Sequence, residues 1–164
     1  MPKSKSVWRI ATDTQQYIST DLTGEGARTS GGRWNSEGIP LIYCAESVAL
    51  ACLETLVHLN QDGLPLNRYL VRLDFPIRLW TQAKVLTKDN AEVGWDAVPY
   101  GMVSTQVGNR WCKQLSSALF LVPSIVIPEE TNILVNPLHP DANEIKAYKL
   151  RKFTFDQRLR SRKD

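Results

Sequence analysis

Glu54 is the residue with the most chemistry to offer. It interrupts Val48-Ala49-Leu50-Ala51-Cys52-Leu53-Glu54-Thr55-Leu56-Val57-His58-Leu59, a run in which almost every other side chain is apolar. At helical spacing its same-face neighbours are Leu50, Ala51, Val57 and His58. An ionised carboxylate buried without partners costs several kcal/mol, so Glu54 must meet a cation, gain a proton, or point into a polar cleft. A plain internal ion pair satisfies the first condition, and an electrostatic catalyst satisfies the third.

Arg28 and Arg33 frame the glycine-rich run Gly24-Glu25-Gly26-Ala27-Arg28-Thr29-Ser30-Gly31-Gly32-Arg33. Forked guanidinium groups beside a chain that can approach closely are suited to gripping a phosphate or a carboxylate bidentately. Solvated arginines on a surface turn are the plainer alternative, and the run has neither of the standard nucleotide-loop spacings. Tyr43, at the end of an apolar stretch just ahead of the Glu54 segment, can either stack on a flat or cationic heterocycle or pack in the core. Ser124 stands in the most apolar segment of the chain, where its hydroxyl needs a partner, the backbone being the commonest.

Other chemistries find little support. The two histidines, His58 and His139, are far apart and lack accompanying ligand spacing, which argues against a zinc site and against a histidine-dependent triad. His58 lies four residues from Glu54, although capping the helix end is its more ordinary use. Cys44, Cys52 and Cys112 form an odd set without a Cys-x-x-Cys pair, and they fit a reducing, cytoplasmic setting. The net charge of +3 is mild. Arg158, Arg160, Arg162 and Lys163 concentrate basic charge at the C-terminus, to which no function is assigned. No apolar run has the length of a membrane span or of a signal peptide.

The elements that must position these residues follow from the apolar pattern. Val7–Ile10, Pro40–Ala45, Tyr69–Phe75 and Thr131–Val135 read as strands, and Ala118–Pro128 as two strands or one strand broken at Pro123. Ser47 is placed as the N-cap of a helix from Val48 to Leu59, closed by Gly63 and Pro65 and expected to be sunk in the core. The glycine-rich run reads as a loop, and a short helix follows Gly108. Trp80 and Trp95 are expected to anchor an otherwise irregular middle region, and Phe153 and Phe155 to alternate onto the core. At 164 residues the chain is read as a single α+β domain of short, mostly antiparallel strands around a buried helix.

Five separated blocks then resemble one family in order and spacing. They are Gly31-Gly32-Arg33-Trp34-Asn35; Ile42-Tyr43 with Glu46-Ser47; Ala51-x-x-Glu54-x-x-Val57-His58; Val122-Pro123-Ser124; and Asn132-x-x-x-Asn136-Pro137-x-His139-Pro140. Together they closely resemble the RES domain, named for an arginine, a glutamate and a serine that correspond here to Arg33, Glu54 and Ser124. The resemblance assigns residues 1–155 to the RES domain and leaves 156–164 as a basic C-terminal tail.

What the resemblance implies is a fold similar to ADP-ribosyltransferase toxins and a toxin of a type II toxin–antitoxin system, with an Xre-like helix-turn-helix antitoxin as partner. It implies NAD as substrate rather than as cofactor, attacked at the nicotinamide–ribose bond by hydrolysis, phosphorolysis or ADP-ribosyl transfer. Glu54, Arg33, Tyr43 and Ser124 would form the catalytic set, with Arg28, Arg33, Tyr43 and Ser124 binding the dinucleotide. In that scheme Tyr43 stacks on nicotinamide, Ser124 bonds its amide or ribose, and Arg33 with Arg28 holds the pyrophosphate. A homo-oligomer within the toxin–antitoxin complex, touching DNA only through the antitoxin, is part of the same expectation. An RNA-cleaving toxin and a noncatalytic binding module remain the alternatives, the first weakened by the shortage of histidine.

Overall fold

The computed structural model describes residues 1–59 and 66–159. Its centre is a seven-stranded sheet in the order β4-β5-β6-β2-β1-β3-β7. The strands are β1 (Ser4–Ala11), β2 (Ile42–Ala45), β3 (Tyr69–Pro76), β4 (Lys84–Val85), β5 (Leu119–Pro123), β6 (Thr131–Val135) and β7 (Lys146–Lys152). Every pairing is antiparallel except that of the two-residue edge strand β4 with β5. Four helices complete the α+β domain: α1 (Glu25–Ser30), α2 (Val48–Val57), α3 (Ile77–Thr81) and α4 (Met102–Gln114).

Both faces of the sheet are covered, because alternate side chains along each strand point to opposite sides. Val7, Ile42, Cys44, Val71, Leu73, Ile133 and Val135 build one core, closed by Leu79 of α3. The other face carries Phe120, Val122 and Leu134 beneath Val107 and Trp111 of α4, and Ala45 beneath Leu50 and Ala51 of α2. Trp80 and Trp95 pack against the two larger cores as anchors. Phe155 is buried and stacks edge-on against Phe153, their ring centroids 4.9 Å apart.

Three local readings need correction. The glycine-rich run is not loop throughout, since residues 25–30 form α1 before the chain turns at Gly31 with φ of 66°. Helix α4 starts at Met102, well ahead of Gly108. Helix α2 has its predicted cap, Ser47 Oγ accepting from Leu50 N at 3.1 Å, but it lies across the sheet rather than inside the core. Only Leu50 and Ala51 are fully buried and Val57 is 57% exposed, since a single face of the helix meets β1 and β2. The proposed stop at Gly63 and Pro65, and residues 160–164 of the basic tail, lie outside the described residues. No described helix is long and apolar enough to cross a membrane.

β7, Lys-Ala-Tyr-Lys-Leu-Arg-Lys, escapes an apolar-pattern reading because it is an exposed edge strand whose charges discourage further pairing.

Gly108 lets α4 rest directly on the chain at Trp34. A Cβ at position 108 would come 1.8 Å from the Trp34 carbonyl oxygen, which is backbone and cannot yield. Gly108→Ala is therefore expected to lower stability by about 3 kcal/mol or more in urea unfolding. Gly101→Ala, which meets nothing within 4 Å, should leave the midpoint close to that of the unmodified protein.

Candidate active site

The site forms where α2 passes the ends of β5 and β6. Glu54, with a side chain 23% exposed, projects from α2, and its Oε1 accepts from Ser124 Oγ at 2.7 Å and Asn132 Nδ2 at 2.6 Å. Bonds of this length to a carboxylate are charge-assisted, about twice as strong as neutral ones. Ser124 is itself fixed, its oxygen accepting from the backbone N–H groups of Val126 and Ile127 while its own N–H donates to Glu130 O. Asn132 pairs with Val122 on one side and Ala45 on the other, so the central ladder sets its position. Helix α2 is tied to the same strand end, because Ser47 Oγ donates to Glu130 Oε2 at 3.0 Å and Glu46 N to Thr131 O.

Glu54 Oε2 is differently placed. His58 Nε2 lies 4.0 Å from it, on a side chain 73% exposed. The carboxylate thus has one oxygen saturated by donors and one without a hydrogen-bond donor among the described residues.

Arg33 is held at the tip of the tight turn Gly32–Asn35, closed by the Gly32 N to Asn35 O bond of 2.9 Å. Its Nη1 donates to the carbonyls of Ala97 at 2.9 Å and Trp95 at 3.3 Å, and the guanidinium lies 5.7 Å from the centre of the Tyr100 ring. Its own carbonyl accepts from Thr105 Oγ1 on α4. Burial lowers the Arg33 pKa, and of the charges opposing that shift Glu54 is the largest, followed by Asp96, Tyr100 and Tyr43. Arg33 and Glu54 therefore influence each other electrostatically without closing into a direct ion pair.

Tyr43 ties this turn to the sheet. Its hydroxyl donates to Asn35 Oδ1 at 2.7 Å and accepts from Trp34 N at 3.0 Å, while Asn35 Nδ2 spans to Ala27 O and Ile39 O. A Cβ on Gly32 would come 2.7 Å from that hydroxyl, so the glycine is required for the approach. Burial pushes the phenol pKa well up, which keeps the hydroxyl a neutral donor. The ring packs against the core that includes Trp34, Leu41 and Leu134.

Arg28 is not brought to Arg33's anchoring partners. It closes a bidentate pair with Glu25, both bonds 2.7 Å, on the exposed surface of α1. Burial raises the cysteine thiols, Cys44 to about 12 and Cys112 to about 11, so neither is a ready nucleophile.

Two contributors were not singled out from sequence. Asn132 belonged to a recognised block, but nothing in its immediate surroundings distinguishes it from a strand-end polar residue. Arg9 could have been noticed as a charge within Val7–Ile10. It is half-buried, the burial lowering its pKa, with Nη2 donating to Ser19 O and Asp21 O. Together with Tyr17, Asp21, Arg68 and Tyr43 it lines a cavity of ≈ 200 Å³ at the start of β2. The Glu54 carboxylate is not among the groups lining that cavity.

The geometry thus holds a carboxylate with one committed oxygen, its serine partner and a turn-borne arginine on one antiparallel α+β scaffold. Residues 6–156 match the RES domain family, and the chain belongs to it. It is 54% identical over 154 residues to the "Prs ADP-ribosylating toxin" of Sphingobium sp. (strain YBL2), covering 94% of this chain and 96% of that one. It is also 36% identical over 155 residues to "Toxin Res" of Pseudomonas putida, covering 93% and 98%. With "Toxin Res" of Photorhabdus laumondii it shares 34% over 145 residues, covering 88% and 91%.

Tyr43→Phe should strand a buried donor and a buried acceptor, costing about 1–3 kcal/mol in urea unfolding. Amide exchange at Trp34 should accelerate, and an unchanged rate there would show that the hydroxyl does not restrain the Arg33 turn.

Proposed function

We propose that this protein is the toxin of a type II toxin–antitoxin pair and that it cleaves the nicotinamide–ribose bond of NAD, passing ADP-ribose to an acceptor. The observation that carries the reading is the asymmetric carboxylate of Glu54, one oxygen held by two short bonds and the other without a donor among the described residues.

NAD asks little of a protein at this bond. Nicotinamide departs as a neutral base, taking the electron pair of the broken C–N bond, so no general acid is required, and positive charge develops on the ribose. A preorganised carboxylate facing that charge stabilises it most where water is partly excluded. Glu54 Oε2 fills that role, and it can accept the proton an incoming nucleophile loses as it bonds to the ribose carbon. Arg33, its Nη1 anchored on two carbonyls, presents its remaining donors to the pyrophosphate. Ser124 acts on Glu54, because its hydroxyl is already committed there, and a contact with the nicotinamide amide would have to share the same oxygen. Tyr43 offers its ring, and Arg28, paired with Glu25, would contribute only by opening that pair.

Among acceptors, a protein side chain is favoured over water or phosphate by the name of the Sphingobium relative, which describes an ADP-ribosylating toxin. An Xre-like antitoxin encoded next door, action in the cytoplasm and a homo-oligomeric complex with that antitoxin complete the proposal.

Purified protein incubated with NAD and a cell extract that supplies acceptor proteins should release nicotinamide above the level of the extract alone, while total RNA given the same treatment stays intact. Loss of RNA with NAD untouched would instead establish an RNA-cleaving toxin. Glu54→Gln, which conserves volume, should fold normally and lose about 10²-fold or more in nicotinamide release, together with growth inhibition. Full toxicity of the folded variant would leave a noncatalytic binding module as the explanation.

A further inference from the structure

We propose that Asn132 is a positioning residue for Glu54, selecting which carboxylate oxygen reacts; the inference rests on the function proposed above. Asn132 Nδ2 donates to Oε1 at 2.6 Å, the same oxygen that takes the Ser124 hydroxyl at 2.7 Å. Two donors on one oxygen draw its negative charge into fixed bonds and stop the carboxyl group from rotating. Oε2 is thereby the oxygen offered to the substrate.

The cost of this arrangement is visible in the asparagine itself. Its Oδ1 is buried and has no hydrogen-bond partner among the described residues. A buried acceptor left unpaired carries a desolvation cost, which the fold has no reason to bear unless the other end of the amide is committed elsewhere. Turning the amide over would set Oδ1 against the carboxylate oxygen, so the Glu54 bond decides the orientation. Hydrogen bonds from its backbone ladder on both sides leave Asn132 little freedom to move away.

The basic side chains that face Glu54 among the described residues are Arg33, from the Gly32–Asn35 turn, and His58, on its own helix. Neither donates to Oε1, so neither replaces the amide. Removing Nδ2 leaves Ser124 as a single pivot about which the carboxyl group can swing. Substrate binding, which depends on Arg33 and the surrounding walls, should be little affected, and the rate of bond cleavage should carry the loss.

The test is nicotinamide release from NAD, in the presence of a cell extract that supplies acceptor proteins, by the full chain and its Asn132→Ala, Asn132→Asp and Glu54→Gln variants, across pH, with thermal unfolding of each as a check on folding. Asn132→Ala is expected to lower kcat about tenfold or more with KM within about threefold of the unmodified protein. Asn132→Asp keeps the shape but sets a second carboxylate beside Oε1. The two cannot both ionise freely, so the acid limb of its pH–rate profile should move upward by about one unit or more. A folded Asn132→Ala variant with unchanged kcat, or a loss confined to KM, would overturn the inference, as would an unmoved acid limb in a folded Asn132→Asp variant. If Glu54→Gln turns over NAD at the unmodified rate, it is the underlying function that fails, and the inference with it.

Discussion

An acidic side chain in a largely apolar helix has to be compensated, and the arrangement around Glu54 follows from how this is done. No cation among the described residues closes on the carboxylate. Two neutral donors do, a hydroxyl just past the end of β5 and an amide on β6, both directed at Oε1. Neutral donors lower the cost of burying the charge without cancelling it. The negative charge therefore remains available at Oε2, whereas a direct pair with Arg33 would have quenched it. The position of α2 follows from the same strand end, since Glu130 holds the Ser47 cap and Asn132 holds Glu54.

Arg33 answers to a second, independent support. Helix α4 touches its turn through the bare Gly108, binds the Arg33 carbonyl through Thr105, and grips Ser36 through Asn109. Tyr43 locks the turn from the other side, on the strand that pairs with β6. The cationic and anionic halves of the site thus hang on one sheet while being braced by different helices. That leaves their separation fixed by the scaffold rather than by mutual attraction, a condition for electrostatic preorganisation.

How much of this could be read from sequence depends on the range of the interaction. The strands with apolar alternation, the Ser47 cap and the α2 helix were legible, because local spacing determines them. Glu54 was legible because a lone carboxylate among apolar residues demands an explanation. Its partners were only half legible. Ser124 was known to need an acceptor or donor, yet that it would spend its hydroxyl on Glu54, 70 residues away, depends on strand pairing. Tyr43 was read as a ring, while its hydroxyl proved to be a clasp, a role set by Gly32 and Asn35 arriving from another part of the chain. Arg28 looked equivalent to Arg33 until α1 formed and placed Glu25 one turn away. The edge strand β7 and the short β4 carry too little apolar pattern to announce themselves.

The account is tested most directly by determining a structure of the Glu54→Gln variant with NAD bound. The predicted result is a dinucleotide whose nicotinamide ribose lies against the side chain of residue 54 and whose pyrophosphate meets the Arg33 guanidinium. A dinucleotide seated away from both residues would contradict it.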